Sequence, residues 1–145
     1  MAKQVLLVDD DQNMVKYLSV LLSEHGYDPV TAADGSEGLR KVGQSKPDLI
    51  VLDVMMPKKS GLVTFQQLKK DEQTKDIPIL MLTGVSGILE ELDAKEDETS
   101  YDSLRAALKK KIQEMRDDGL IKPDMFVDKP VDPDSFIAKV RHLIG

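Results

Sequence analysis

The sequence contains no cysteine, which excludes disulfides, thiolate nucleophiles, iron–sulfur ligation and every cysteine-based zinc site. Histidine is almost as scarce. His25 and His142 both fall at the ends of helix-like segments, which gives no basis for a His-rich metal centre or a Ser-His-Asp triad. Chemistry in this chain therefore runs on carboxylates, lysines and hydroxyls. Basic charge is in the minority, with 20 Lys and Arg against 26 Asp and Glu, and the net charge of −6 argues against a polyanion as the main partner. Glycine builds neither a G-x-G-x-x-G nor a Walker pattern, which disfavours a nucleotide-binding enzyme. No apolar stretch approaches the roughly 20 residues of a membrane span. The N-terminus offers one lysine and the short run Val5–Val8 before three aspartates, which is not a signal peptide. The expectation is a soluble, cytoplasmic protein with no direct nucleic acid binding and no membrane insertion.

What the chain does have is enough apolar content, 41% against 32% charged, to bury a core, and 145 residues fit a single domain spanning 1–145. Short apolar runs recur at 5–8, 29–33, 49–52, 77–82 and 125–127. Those at 5–8, 49–52 and 77–82 do not alternate with polar residues, which is how strands buried on both faces read. Helical patterns lie between them. Met14, Tyr17, Leu18, Leu21 and Leu22 share one helix face up to Gly26, with Asp11 or Asn13 as cap. Leu39 and Val42 predict a helix after the Asp34-Gly35 turn, and Leu62, Phe65 and Leu68 one after Gly61. Asp132-Pro133 supplies a cap and first-turn proline to a last helix carrying Phe136, Ile137, Val140, Leu143 and Ile144. The fold class that follows is α/β, a doubly wound five-stranded parallel sheet of flavodoxin-like order 2-1-3-4-5, whose ligands bind between strands 1 and 3.

One connection is out of proportion. Residues 85–124 are nearly twice as long as the other crossovers, and within them 90–98 holds six acids against Lys95 alone. A short helix near Ile88–Leu92 and a longer one along Tyr101, Leu104, Leu108, Ile112 and Met115, joined by that acidic turn, are predicted here. Lys109-Lys110-Lys111 fall off the apolar stripe and read as a solvated face.

Four strand ends carry polar residues: Asp9-Asp10-Asp11 after strand 1, Asp53 after strand 3, Thr83 after strand 4 and Lys129 after strand 5. Singly, each has a plain structural role, an aspartate as a helix cap and a threonine or lysine as a solvated group. Together they crowd Asp9, Asp10 and Asp53 at adjacent strand ends, which is unfavourable unless a cation joins them. Mg2+ suits these ligands better than Ca2+, because it takes oxygen ligands, keeps several waters and favours one or two carboxylates plus a phosphate. With a phosphoryl group as the further ligand, Lys129 supplies a point charge, Thr83 a hydroxyl donor and Asp53 an oxygen nucleophile.

This ordered constellation resembles the receiver domain of two-component response regulators. The resemblance rests on Val8-Asp9-Asp10-Asp11, Leu52-Asp53-Val54-Met55-Met56-Pro57, Gly61, Leu82-Thr83-Gly84 and Lys129-Pro130, and covers nearly all of the chain outside 85–124. It implies Asp53 as phosphoacceptor, Asp10 as a direct Mg2+ ligand, Asp9 as a ligand through water, and the Met55 carbonyl as another. It also implies Lys129 as partner of the phosphoryl group, and Thr83 with Phe126 as the switch pair. The implied donor is a histidine kinase or a histidine phosphotransfer protein, and the implied output is control of, or relay to, a downstream protein. The last predicted helix reaches Gly145, from which a stand-alone receiver is expected.

Two rival readings use the same residues. An aspartate-nucleophile phosphatase of haloacid dehalogenase type would take Asp9-Asp10-Asp11 as its Asp-x-Asp pair, but it leaves Asp53 unused and lacks an acidic pair on a strand after the lysine. A receiver-like interaction scaffold would dispense with phosphorylation. The positions two after Asp53 and two after Thr83 are apolar, Met55 and Val85. Family members with polar residues there place a water for dephosphorylation, so slow self-dephosphorylation is expected. Replacing Met55 or Val85 by Asn or Glu should shorten the phosphoryl lifetime measured by loss of label, and a lengthened lifetime would contradict this reading.

Overall fold

Strands β1 (Gln4–Val8), β2 (Asp28–Ala32), β3 (Leu49–Asp53), β4 (Ile79–Thr83) and β5 (Phe126–Asp128) form one sheet in the order β2-β1-β3-β4-β5. Every neighbouring pair is parallel. The computed structural model describes residues 2–53, 61–83, 113–114, 126–128 and 131–145. Within them the helices are α1 (Gln12–Glu24), α2 (Gly35–Gln44), α3 (Gly61–Lys70) and α4 (Pro133–Ile144), and Gln113 and Glu114 are also helical. The predicted helices of the 85–124 connection otherwise fall outside the described residues, as do Met55 and Lys129.

Alternation along the strands divides the core in two. Leu6, Val8, Ile50, Leu52, Ile79 and Met81 pack with Val42 of α2 and Phe65 and Leu68 of α3. Val5, Leu7, Leu49, Val51, Leu80, Leu82 and Val127 pack with Leu18 and Leu22 of α1 and Phe136, Ile137 and Val140 of α4. Both faces of β1, β3 and β4 are thus covered, which is why these strands read as unbroken apolar runs. β2 is an edge strand, only Ala32 being fully buried, and its apolar signal is correspondingly weak.

Local chemistry sets the helix ends. Asp11 caps α1 by accepting from Asn13 and Met14 N–H at 3.0 and 3.3 Å. At the other end Gly26 takes φ +87°, the left-handed conformation that suits glycine, while the Tyr27 N–H reaches back to Leu22 O at 3.0 Å. Asp132 accepts from the Ser135 N–H at 2.9 Å and Pro133 opens α4, as predicted. Strand boundaries differ from the sequence reading by one or two residues. Ile77, expected in the fourth strand, instead closes a turn through its N–H to Thr74 O at 3.0 Å, and β4 starts after Pro78, which has no N–H to give.

Two of the three glycines of helix α2 stand in different surroundings. A Cβ at Gly38 would stand 3.0 Å from Val8 Cγ2, whereas one at Gly43 would meet nothing within 4 Å. Gly38→Leu should therefore destabilise by about 1–3 kcal/mol through overpacking against β1. Gly43→Ala should stabilise by up to about 1 kcal/mol through helix propensity. Urea unfolding of the two variants measures both, and shifts in the same direction would contradict the packing described.

Candidate metal centre

β1 and β3 are the neighbours at which the winding of the sheet reverses, so the helices leaving them diverge and open a crevice at the carboxyl ends of the strands. Into it the chain places its aspartates. The register pairs Val8 with Leu52, so Asp9 and Asp53 each follow by one residue on adjacent strands. Asp9 and Asp53 are buried, each 2% exposed, while Asp10 faces solvent. Oxygens from the three carboxylates all lie within 4.8 Å of one another.

The backbone around Asp9 is fixed from both sides. Its N–H extends the β1–β2 ladder to Ala32 O at 3.1 Å. Its Oδ1 accepts from the Asp11 N–H at 3.0 Å, so the carboxylate is held by the turn that starts α1. At β2 the Asp34 Oδ1 caps α2 through the Glu37 N–H at 2.8 Å, and the Glu37 carboxylate reaches back to the Ala33 N–H at 3.1 Å. That reciprocal arrangement is close to a capping box. The Ala33 N–H, then the Lys41 ammonium, hold the Glu37 carboxyl below its ordinary value of 4.5. The stabilisation from this carboxylate is complete above about pH 4.5 and is lost as pH falls through its lower folded value.

Of the predicted site residues, the fold brings Asp9, Asp10 and Asp53 into one cluster. Thr83 ends β4 beside β3, level with Asp128 and one row beyond the Asp53–Leu82 pair. Phe126 opens β5 opposite Met81. Glu37 is not among the strand-end residues that mark the site, and its one sequence signal is the Asp34-x-x-Glu37 spacing.

Three acidic oxygens this close form a cluster that can bind a metal. Oxygen-only donors from short carboxylates fit a hard divalent cation. Without one, like charges oppose each other by about 3 kcal/mol or more per pair at an effective dielectric near 20, reduced by solvent at exposed Asp10. This exceeds the ~0.3–1 kcal/mol that a negative charge gains near the start of α1. Asp10→Asn should therefore raise stability in metal-free buffer by about 1 kcal/mol and abolish the stabilisation conferred by a divalent cation. Urea unfolding with and without chelator tests this, and a less stable metal-free variant would contradict it.

The family model of the response regulator receiver domain matches residues 5–141. Among curated relatives, the DNA-binding dual master transcriptional regulator RpaA of Synechocystis is 33% identical over 141 residues, covering 97% of this chain and 48% of RpaA. The alkaline phosphatase synthesis transcriptional regulatory protein PhoP of Bacillus subtilis is 49% identical over 83 residues, covering 57% of this chain and 34% of PhoP. The chain thus spans about half the length of RpaA and a third of PhoP. The solved chemotaxis response regulator CheY4 of Vibrio cholerae superposes with a TM-score of 0.74 at 26% identity, covering 99% of each chain.

Proposed function

Since this chain belongs to the response regulator receiver domain family, we propose that it is a phosphoacceptor switch in which Asp53 takes a phosphoryl group from a histidine kinase or histidine phosphotransfer protein. The observation that carries this reading is the convergence of Asp9, Asp10 and Asp53 within 4.8 Å at the ends of β1 and β3. The residues fit Mg2+, which would be held by Asp10 directly, by Asp9 through water, by Asp53 and by the Met55 carbonyl. Bound there, Mg2+ supplies positive charge to the phosphoryl oxygens as they approach the carboxylates.

Phosphoryl transfer follows from the donor and acceptor atoms. A carboxylate oxygen of Asp53 attacks phosphorus, the P–N bond to the donor imidazole breaks, and the electron pair stays on that nitrogen. The product is an acyl phosphate on Asp53. Lys129 pairs with its oxygens as a point charge. Thr83 gains a hydrogen-bond acceptor in this state alone, which biases a two-state equilibrium and lets Phe126 change its packing. Parallel pairing of β4 with β5, Thr83 level with Asp128, supports passage of the change across this side of the sheet. The output is control of, or relay to, a partner protein.

Family membership favours this over the phosphatase reading, which would use Asp9 as nucleophile, and over an unphosphorylated scaffold. A cytoplasmic location belongs to the proposal. Among the described residues no helix is long and apolar enough to cross a membrane. Direct contact with nucleic acid is not part of it, given the net charge of −6. Incubation with Mg2+ and acetyl phosphate should add one phosphoryl group by intact mass, and Asp53→Asn or chelation should abolish the gain. Label retained in Asp53→Asn and lost in Asp9→Asn would return the chemistry to the phosphatase, and absence of label from both small donors and kinase would favour the scaffold.

A further inference from the structure

We infer that Glu37 is a positioning residue for the carboxylate of Asp9, acting through the end of β2; this rests on the proposed reading of the acidic cluster as a Mg2+ site. Three hydrogen bonds run in series from α2 to the site. Glu37 Oε2 accepts from the Ala33 N–H at 3.1 Å. The preceding carbonyl, Ala32 O, accepts from the Asp9 N–H at 3.1 Å. Asp9 Oδ1 in turn accepts from the Asp11 N–H at 3.0 Å.

Each link has a physical reason to matter. β2 is an edge strand that ends at Ala32, and Ala33 is exposed, so water competes for its N–H unless a side chain holds it. Glu37 is fixed for that task. Its own N–H is bound to Asp34 Oδ1 at 2.8 Å, and its Oε1 pairs with Lys41 at 3.2 Å. The Lys41 ammonium also donates to Thr31 O, so the pair stitches α2 to β2 on both sides of Ala32. The same helix meets β1 a second time, where Gly38 lies against Val8, the residue before Asp9. Removing the Glu37 carboxylate frees Ala33, loosens the Ala32–Asp9 bond and widens the range of positions open to the Asp9 carboxylate. Mg2+ demands near-ideal octahedral geometry, so its affinity registers that loss.

The experiment measures amide hydrogen exchange at Ala33 and Asp9, and the dissociation constant for Mg2+ alone, in the whole chain and three variants. Glu37→Ala should speed exchange at both amides and weaken Mg2+ binding by about three- to ten-fold. Glu37→Gln keeps an oxygen acceptor for Ala33 and should stay within about two-fold of the parent chain. Thr74→Val removes the hydroxyl bond to Leu68 O at the opposite end of the sheet, and should lower stability without changing Mg2+ affinity. Unchanged Asp9 exchange in Glu37→Ala would overturn the inference whatever the metal does, as would equal weakening of Mg2+ binding by Thr74→Val. No Mg2+ binding by the parent chain would instead overturn the reading of the cluster on which the inference rests.

Discussion

Carboxylates repel, and the fold nevertheless holds Asp9, Asp10 and Asp53 with their oxygens within 4.8 Å, two of the three buried. The rest of the structure is organised around bearing that repulsion. The adjacency comes from the sheet order, because β1 and β3 run side by side in register and each delivers an aspartate one residue past the Val8–Leu52 pair. Relaxing it would mean breaking a parallel ladder whose residues are almost all inaccessible to water. The apolar core therefore supplies the energy that keeps like charges together, and the cluster is assembled before any ligand arrives.

Burial on both faces makes that frame stiff. β1, β3 and β4 each contribute alternate side chains to a cluster beneath α2 and α3 and to another beneath α1 and α4. A shift of one residue in any of these strands would exchange every side chain between the two clusters, so the register is strongly specified. The edge is less constrained. β2 is mostly half-exposed, and beside the packing of Ala32 in the core its end is held by Glu37 and Lys41 of α2. Polar stitching at the edge and apolar packing at the centre thus meet at Asp9, whose N–H bonds to β2 and whose preceding residue lies in the core.

Much of this was legible in the sequence, for physical reasons. Val5–Val8 and Leu49–Leu52 announced buried parallel strands because strands covered on both faces need no polar alternation. Aspartates directly after such strands pointed to the site because this topology opens at the carboxyl ends. Legibility failed where one signal serves two structures. Ile77 is as buried as a strand residue, yet it belongs to a turn, since apolarity reports burial and not backbone hydrogen bonding. Glu37 looked like any exposed acid on a helix, and only the position of Ala33 in space shows what its carboxylate holds.

Calorimetric titration of the metal-free chain with Mg2+, beside Asp9→Asn and Asp53→Asn, decides whether the two strand ends form one divalent cation site. Saturable binding of a single ion is expected, weakened or lost in both variants. A chain that binds no ion, or variants that bind as well as the parent, would contradict it.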